Sequence, residues 1–133
     1  MTSLLAYGSA LVVFVLVDMI WLGTMAGWLY KPILGDIMAP QFNPAAAAVF
    51  YLLYPVGLVI FAINPALKVG SVSTALMYGA LFGFFTYATY DLTNQATLRN
   101  WSTLLTVVDI AWGTVLGAIA AASAFWITSR FVG

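Results

Sequence analysis

Four long apolar stretches dominate the chain, and short polar segments separate them. They cover residues 4–27, 45–63, 74–90 and 102–127. The hydrocarbon core of a bilayer is about 30 Å thick, so a helix that crosses it needs about 20 mostly apolar residues. The pattern therefore predicts four transmembrane helices, and hence an all-α integral membrane four-helix bundle.

Residues typical of helix ends and helix breaks lie where this division requires them. Asn43 and Pro44 fit an N-cap followed by a proline in the first turn of the second helix. Gly70 and Ser71 form a break before the third helix. Pro55 lies inside the second helix and predicts a kink, which membrane helices tolerate when neighbouring groups satisfy the freed carbonyl.

The composition supports insertion into a membrane. Of the 133 residues, 64% are hydrophobic and 6% are charged, whereas a soluble domain has roughly 25% charged residues. The five Trp, seven Tyr and nine Phe suit a protein that meets two membrane interfaces, where aromatic rings collect. The first stretch follows a start without Lys or Arg, so we interpret it as a retained helix and not as a signal peptide. We expect one domain over residues 1–133.

Charge and residue types exclude several classes of function. The net formal charge is zero, with four basic and four acidic residues, so the chain has no basic patch for nucleic acid. It contains neither Cys nor His, which excludes disulfides, haem ligation by His, Cys nucleophiles and the usual zinc sites. We assign no cofactor and no metal site, and membrane lipids are the expected partners.

The orientation in the membrane rests on very few charges. Lys68, Arg130 and the N-terminal amine fall on one side of the predicted bundle, and Lys31 and Arg99 fall on the other. The rule that positive loops stay inside then places both termini in the cytoplasm, by a margin of about one charge.

Three aspartates are the most informative polar residues. Asp18 lies in the second half of the first helix, Asp109 in the first third of the fourth, and Asp91 at the end of the third. Because successive helices alternate in direction, the three carboxyl groups are predicted to share one leaflet, with Asp18 and Asp109 each about 10 Å from its surface. Lys31 and Arg99 reach the same surface and are candidates for salt bridges.

Aromatic and amide side chains gather at the same depth. Trp21 and Trp112 each follow an aspartate by three residues, so each Asp–Trp pair shares a helical face. The predicted site is a polar, aromatic-walled cavity open towards one membrane face. Its candidate ligand-binding residues are Asp18, Trp21, Tyr51, Tyr54, Tyr87, Tyr90, Asp91, Asn94, Asp109 and Trp112.

A structural role for these acids is the alternative. A carboxylate at bilayer depth costs about 2.5–3.5 kcal/mol on insertion scales, so it faces a cavity or a partner and is by default a functional hypothesis. The aspartates could instead bond to Tyr, to Trp N–H groups or to Arg99 and only fix the helix register. The Trp residues alone are more typical of packing or of interface anchors.

Two further patterns concern the first and fourth helices. The sequence around Asp18 and Trp21 is echoed around Asp109 and Trp112, which fits one local device that lines the cavity from opposite walls. Gly113 and Gly117, at small-xxx-small spacing, indicate a helix contact inside the bundle more than a dimer seam.

Several strings resemble the bacterial membrane proteins of domain-of-unknown-function family 2177. The most specific are the Tyr-Asp-Leu-Thr-Asn run and the second Asp-x-x-Trp-Gly-Thr. The resemblance spans nearly the whole chain, at residues 18–23, 38–40, 51–54, 87–94, 96–98 and 109–114. It implies a small, four-helix, multi-pass protein of the bacterial inner membrane, and it brings no established activity.

Three functions compete. The first is binding or transport of a small or amphiphilic ligand at the membrane-embedded aspartates, and transport by so small a chain would require a homodimer or a larger assembly. The second is a lipid- or quinone-associated enzyme or accessory subunit, in which an Asp pair acts as acid and base or three Asp hold Mg²⁺. The third is a structural or assembly subunit. The sequence disfavours an enzyme, because without His or Cys no nucleophile motif stands out.

Overall fold

The computed structural model describes residues 2–35 and 43–132, and the regular structure in this part of the chain is helical. Asp36 and the 38–40 string of the family resemblance lie outside the described residues. The chain is an all-α membrane helical bundle, as the sequence predicts. Its four helices are α1 (Thr2–Leu34), α2 (Pro44–Val69), α3 (Val72–Thr97) and α4 (Thr103–Phe131).

Glycines hold α3 and α4 together in an antiparallel pair. A methyl group added at Gly83 would lie 2.0 Å from the Gly113 carbonyl oxygen, and one at Gly79 would lie 2.4 Å from the Gly117 carbonyl oxygen. The two backbones therefore touch where a side chain would separate them. The predicted contact of Gly113 and Gly117 inside the bundle is confirmed, and its other half is a second Gly-xxx-Gly pair on α3.

The core lies between α1, α2 and α4. Phe14, Leu58 and Leu116, one from each of these helices, have no exposed surface. Large apolar side chains cover the outside as well: Ile20 is 70% exposed and Phe85 is 63% exposed. An apolar exterior around an apolar core is what a helical bundle in lipid requires.

Three of the described helices, α1, α2 and α4, are long and apolar enough to cross a membrane. The third helix is 26 residues long, or about 39 Å at 1.5 Å per residue. Polar residues towards its C-terminal end lower its hydropathy, but it packs along α4 and has the length to span. That α3 crosses the membrane stays a prediction, as does the single domain over residues 1–133.

Capping side chains fix two helix starts, and the cap at Asn43 is the one that the sequence predicted. The Asn43 side chain accepts a hydrogen bond from the backbone N–H of Ala46, 3.1 Å away, and Pro44 occupies the first turn. Gly70 ends α2 in the left-handed conformation at φ 64°, and Ser71 then caps α3. These contacts satisfy backbone groups that a helix end leaves without partners.

Two prolines do not end the helices in which they lie. The π-helical turns Ala26–Tyr30 and Val59–Ile63 each end two residues before a proline, Pro32 in α1 and Pro65 in α2. A proline lacks the N–H that an α-helix uses, and its ring crowds the carbonyl four residues back. In each case the residue after the turn donates its N–H to the first residue of the turn, five positions back. The wider turn lets the helix continue past the proline.

All four helices continue beyond their predicted ends. The first helix was expected to end near residue 27 and continues to Leu34, and the second was expected to end at residue 63 and continues to Val69. The third continues beyond residue 90 to Thr97, which places Asp91 inside a helix. The fourth begins after its cap, Ser102, as predicted, and continues to Phe131. The kink at Pro55 stays a prediction.

The longer helices change how far the acids lie from the helix ends. Sixteen residues separate Asp18 from either end of α1, so Asp18 lies near the middle of the helix, about 24 Å from both ends. Its partners Tyr51 and Trp112 lie seven and nine residues from the starts of α2 and α4, or about 10–14 Å from that end of the bundle, so the predicted depth of about 10 Å for Asp18 stays a prediction. Asp91 and Asp109 each lie six residues from a helix end, or about 9 Å.

Candidate functional site

Asp18 is buried at the centre of the bundle and bonded on both oxygens. The Tyr51 hydroxyl of α2 donates to Oδ2 at 2.5 Å, and the Trp112 indole N–H of α4 donates to Oδ1 at 3.2 Å. The side chain is 5% exposed. One carboxyl group thus joins three helices, and its two donors offset part of the cost of burying it.

Asp109 is bonded by a residue that sequence reasoning missed. The Tyr30 hydroxyl donates to Asp109 Oδ1 at 2.6 Å and accepts from the Trp21 indole N–H at 2.9 Å. Tyr30 is the last residue of the first π-helical turn, in the part of α1 that was expected to be loop. Helical side chains lean towards the N-terminus of their helix, which helps the Tyr30 hydroxyl to reach back to Trp21. The sequence feature that could have indicated this contact is the tyrosine directly before Lys31 and Pro32.

The indole rings of Trp21 and Trp112 stack between the two acids. Their centroids are 4.3 Å apart and their planes differ by 5°. Each aspartate is reached by the tryptophan of the opposite helix, directly for Asp18 and through Tyr30 for Asp109. The repeated Asp-x-x-Trp string therefore forms a crossed pair on the antiparallel helices α1 and α4.

Asp91 lies against Asp109 in the interior. It has no exposed surface, and its carboxyl group is within hydrogen-bonding reach of the Asp109 carboxyl group. Neither Asp91 oxygen accepts a hydrogen bond from any donor in residues 2–35 and 43–132. Two carboxyl groups in contact away from water require a proton between them or a cation beside them.

A cavity of about 450 Å³ opens beside Asp109. Its lining comes from α2, α3 and α4: Phe50, Tyr54, Thr86, Tyr87, Tyr90 and Asp109. The Tyr54 hydroxyl lies 3.2 Å from Thr86 Oγ1 and is thereby held in place. The Tyr87 ring occupies space that exists because residue 113 is glycine, since a methyl group there would lie 2.1 Å from Tyr87 Cγ.

The mouth of the cavity lies between α2 and α3. Phe50 is 41% exposed and Tyr90 is 55% exposed, while Tyr54 is 7% exposed. Phe50 is six residues from the start of α2, and Tyr90 is seven from the end of α3, so the mouth lies about 10 Å inside the bundle end. The exposed lining residues thus lie on the side of the bundle, whereas the sequence predicted a cavity open towards one membrane face.

The predicted site residues separate into distinct groups. The cavity lining contains Tyr54, Tyr87, Tyr90 and Asp109. The hydrogen-bonded cluster beside it contains Asp18, Trp21, Tyr51 and Trp112. Asp91 lies behind Asp109 as seen from the cavity. Asn94 lies one turn beyond Tyr90 and is not among the lining residues.

Lys31 and Arg99, the candidates for salt bridges, are exposed. In the described part of the chain the side chains that donate to Asp18 and Asp109 are uncharged.

Phe50, Thr86 and Tyr30 are the residues that the sequence analysis did not name. Within residues 2–35 and 43–132, no three His, Cys, Asp or Glu side chains lie close enough together to hold a metal ion. The Mg²⁺ site that the sequence left open therefore has no support in these residues.

Comparison with known proteins identifies the family. The family model described as "Predicted membrane protein (DUF2177)" matches residues 3–126. The chain belongs to this family, and the resemblance drawn from its strings is confirmed. No curated protein and no solved structure gives a significant match.

Proposed function

We propose that this membrane protein binds an amphiphilic ligand with a cationic head in the cavity beside Asp109. One observation carries the proposal: a largely apolar space of about 450 Å³ has Asp109 as the only acidic residue among the lining residues that the structure describes. Pockets of about 300–1,000 Å³ with an apolar lining and few polar groups are typical of small-molecule sites.

The lining favours a positive charge. Tyr54, Tyr87 and Tyr90 surround the space with aromatic rings, and ring faces attract cations by about 0.5–2 kcal/mol. Asp109 adds a carboxyl group that is 7% exposed. An anionic head would meet the acid without a basic partner, since no lining residue is basic.

The position of the mouth favours an amphiphile. The opening between α2 and α3 lies within the helical region, where the surrounding medium is lipid and not water. A ligand that partitions into the bilayer can therefore enter from the side. Its apolar part would remain against Phe50 at the rim while its head reaches Asp109.

We infer the location and assembly from the same features. The expected location is the bacterial inner membrane with both termini in the cytoplasm, which the family resemblance and the margin of one charge favour. If the ligand is also transported, a homodimer or a larger assembly is required, because four helices around a cavity at their side do not enclose a path across the membrane.

A structural or assembly subunit is the second candidate. It is favoured by Asp18, whose two oxygens are both bonded and join three helices. In this reading the acids hold the bundle together and the cavity stays unused.

A pair of ions with nearly the same shape distinguishes the candidates. The protein in lipid nanodiscs is titrated with tetraphenylphosphonium, a hydrophobic cation, and with tetraphenylborate, the corresponding anion, and binding to empty nanodiscs is subtracted. We expect saturable binding of the cation alone. Asp109→Asn should weaken that binding by about tenfold, because a contact to a charged group contributes about 1.5–3 kcal/mol.

Two matched controls separate the cavity from general effects. Asp18→Asn removes an acid that is not among the described residues of the cavity lining and should leave binding unchanged. Tyr90→Leu at the mouth should weaken binding, whereas Tyr78→Leu on the same helix, outside the cavity lining, should not. Equal saturable binding of both ions, or binding of the cation that survives Asp109→Asn, contradicts the proposal. An absence of saturable binding, together with poor folding of the Asp variants, supports the structural candidate.

A further inference from the structure

The contact between Asp91 and Asp109 has no role in the hydrogen-bonded cluster around Asp18. Asp91 has no exposed surface, both its oxygens lack donors in the described part of the chain, and its carboxyl group meets that of Asp109. Asp109 in turn lines the cavity. Asp91, a buried polar group without a donor, thus lies directly behind Asp109, the acid that faces the cavity.

We propose that Asp91 and Asp109 share one proton, and that a cation entering the cavity displaces it. This exchange rests on the proposed binding of a cationic ligand and adds a coupled proton to it. Two ionised carboxyl groups in contact repel each other strongly in a medium of low dielectric constant, so one proton between them is the simplest stable arrangement.

The charge balance favours exchange over simple addition. With one proton the pair carries a net charge of −1. When the proton leaves and a monovalent cation arrives, the two carboxylates and the cation again sum to −1. The buried charge is unchanged, so binding avoids the cost of adding a net charge to the membrane interior.

A proton suits the pair better than a metal ion does. A cation such as Mg²⁺ needs about six oxygen ligands, and residues 2–35 and 43–132 contain no group of three His, Cys, Asp or Glu side chains that could hold one. Tyr30 could supply one more oxygen, but its hydroxyl already donates to Asp109 Oδ1. The pair needs only one hydrogen bond between its two carboxyl groups, and a single proton supplies it.

The other ionisable groups near Asp91 and Asp109 are not the source of the released proton. Asp18 on α1 accepts from two donors and is fully bonded. Tyrosine side chains ordinarily lose a proton only near about pH 10. Those that face the acids from the packed elements are Tyr30 on α1, Tyr51 and Tyr54 on α2, and Tyr87 and Tyr90 on α3. Lys31 and Arg99 are exposed.

Calorimetric titration with tetraphenylphosphonium tests the exchange, because this ion carries no proton of its own. Titrations in buffers with different heats of ionisation give the number of protons released for each cation bound. We expect about one proton for the unmodified protein, and an affinity that rises by about tenfold per pH unit while the pair still holds its proton. Replacing sodium with choline in the buffer should change neither result.

Asp91→Asn is the decisive variant. An amide at this position can donate an N–H to Asp109 in place of the shared proton and has nearly the same shape as a protonated carboxyl group. We expect Asp91→Asn to bind tetraphenylphosphonium without releasing a proton and with no dependence on pH. Proton release that persists in this variant, or an affinity of the unmodified protein that follows sodium instead of pH, overturns the proposal.

An infrared measurement without ligand keeps the two proposals separate. The unmodified protein at neutral pH should show a carboxylic-acid C=O band that shifts in D₂O and is absent from Asp91→Asn. If the band is present and no cation binds, the shared proton stands and the proposed function fails. If the band is missing from the folded, unmodified protein, the shared proton is ruled out, whatever binds in the cavity.

Discussion

The indole ring of Trp21 lies flat on that of Trp112, with the ring planes 5° apart and the centroids separated by 4.3 Å. The first ring belongs to α1 and the second to α4, and each indole N–H takes part in the bonding of an aspartate on the opposite helix. The stack therefore connects the Asp18 cluster with Asp109 and the cavity.

This connection predicts an energetic coupling between the two rings. Trp112→Phe keeps an aromatic ring but removes the donor to Asp18, and should lower the free energy of unfolding by about 1 kcal/mol. In a double-mutant cycle with Trp21→Leu and Trp112→Leu, the coupling should be about 0.5–1.5 kcal/mol, as for other aromatic pairs. Reversible unfolding in mixed micelles measures both values. Additive effects of the two Leu substitutions would show that the stack is incidental.

The sequence predicts the fold well because each signal was local. The lengths of the apolar stretches predicted the helices, and Asn43 predicted the start of the second. The repeated Asp-x-x-Trp string indicated paired acids on α1 and α4. The glycines of α4 indicated a close helix contact, and α3 supplies the matching pair in Gly79 and Gly83.

The site was harder to predict because it depends on helix ends. The first apolar stretch was expected to end near residue 27, so Tyr30 was placed outside α1 and its bond to Asp109 was not foreseen. The π-helical turn that carries the helix past Pro32 depends on the packed helix and not on a sequence motif.

The role of that π-helical turn can be tested through Tyr30. Tyr30→Phe leaves Asp109 Oδ1 and the Trp21 N–H without this partner and should cost about 1–3 kcal/mol of stability. Pro32→Ala restores the missing N–H and allows the turn to revert to α-helix, which would rotate Tyr30 away from Asp109. We therefore expect the cost of Tyr30→Phe to fall by more than half when Pro32→Ala is present.

A hydroxyl elsewhere on α1 provides the control. Tyr7 donates to the carbonyl of Leu52 at 2.9 Å and lies far from the turn in sequence, so Tyr7→Phe and Pro32→Ala should be additive. If Tyr30→Phe is also additive with Pro32→Ala, the turn does not position Tyr30.

The contact between α3 and α4 predicts a strong dependence on glycine. Gly83→Ala would place a methyl group 2.0 Å from the Gly113 carbonyl oxygen, and the helices must separate to admit it. Overpacking of this kind costs about 1–3 kcal/mol. Gly23→Ala on α1 is the matched control, because nothing lies within 4 Å of the added methyl group. Unfolding measurements that rank the two variants equally would contradict the observed contact.

Labelling with a thiol reagent can establish the topology, because the chain has no Cys to give a background signal. If α3 crosses the membrane, Lys68→Cys and Arg130→Cys should react from one side and Lys31→Cys and Arg99→Cys from the other. In intact cells an impermeant reagent should reach only the second pair, given cytoplasmic termini. Labelling of Lys68→Cys and Arg99→Cys from the same side would show that α3 does not cross.

Asp18 and Asp109 should respond in opposite ways to the same substitution. Asp18→Asn leaves one acceptor oxygen for two donors, Tyr51 and Trp112, so one donor loses its partner and stability should fall by about 1 kcal/mol or more. Because Asp18 is not among the residues that line the cavity, Asp18→Asn should keep its affinity for tetraphenylphosphonium. Asp109→Asn should instead lose that affinity with a smaller change in unfolding, since its amide can still accept the bond from Tyr30. Unfolding and binding measured on the same two preparations decide between these roles. If both variants lose stability alike and binding is unaffected in both, the acids only hold the bundle together, and the cavity has no part in recognition.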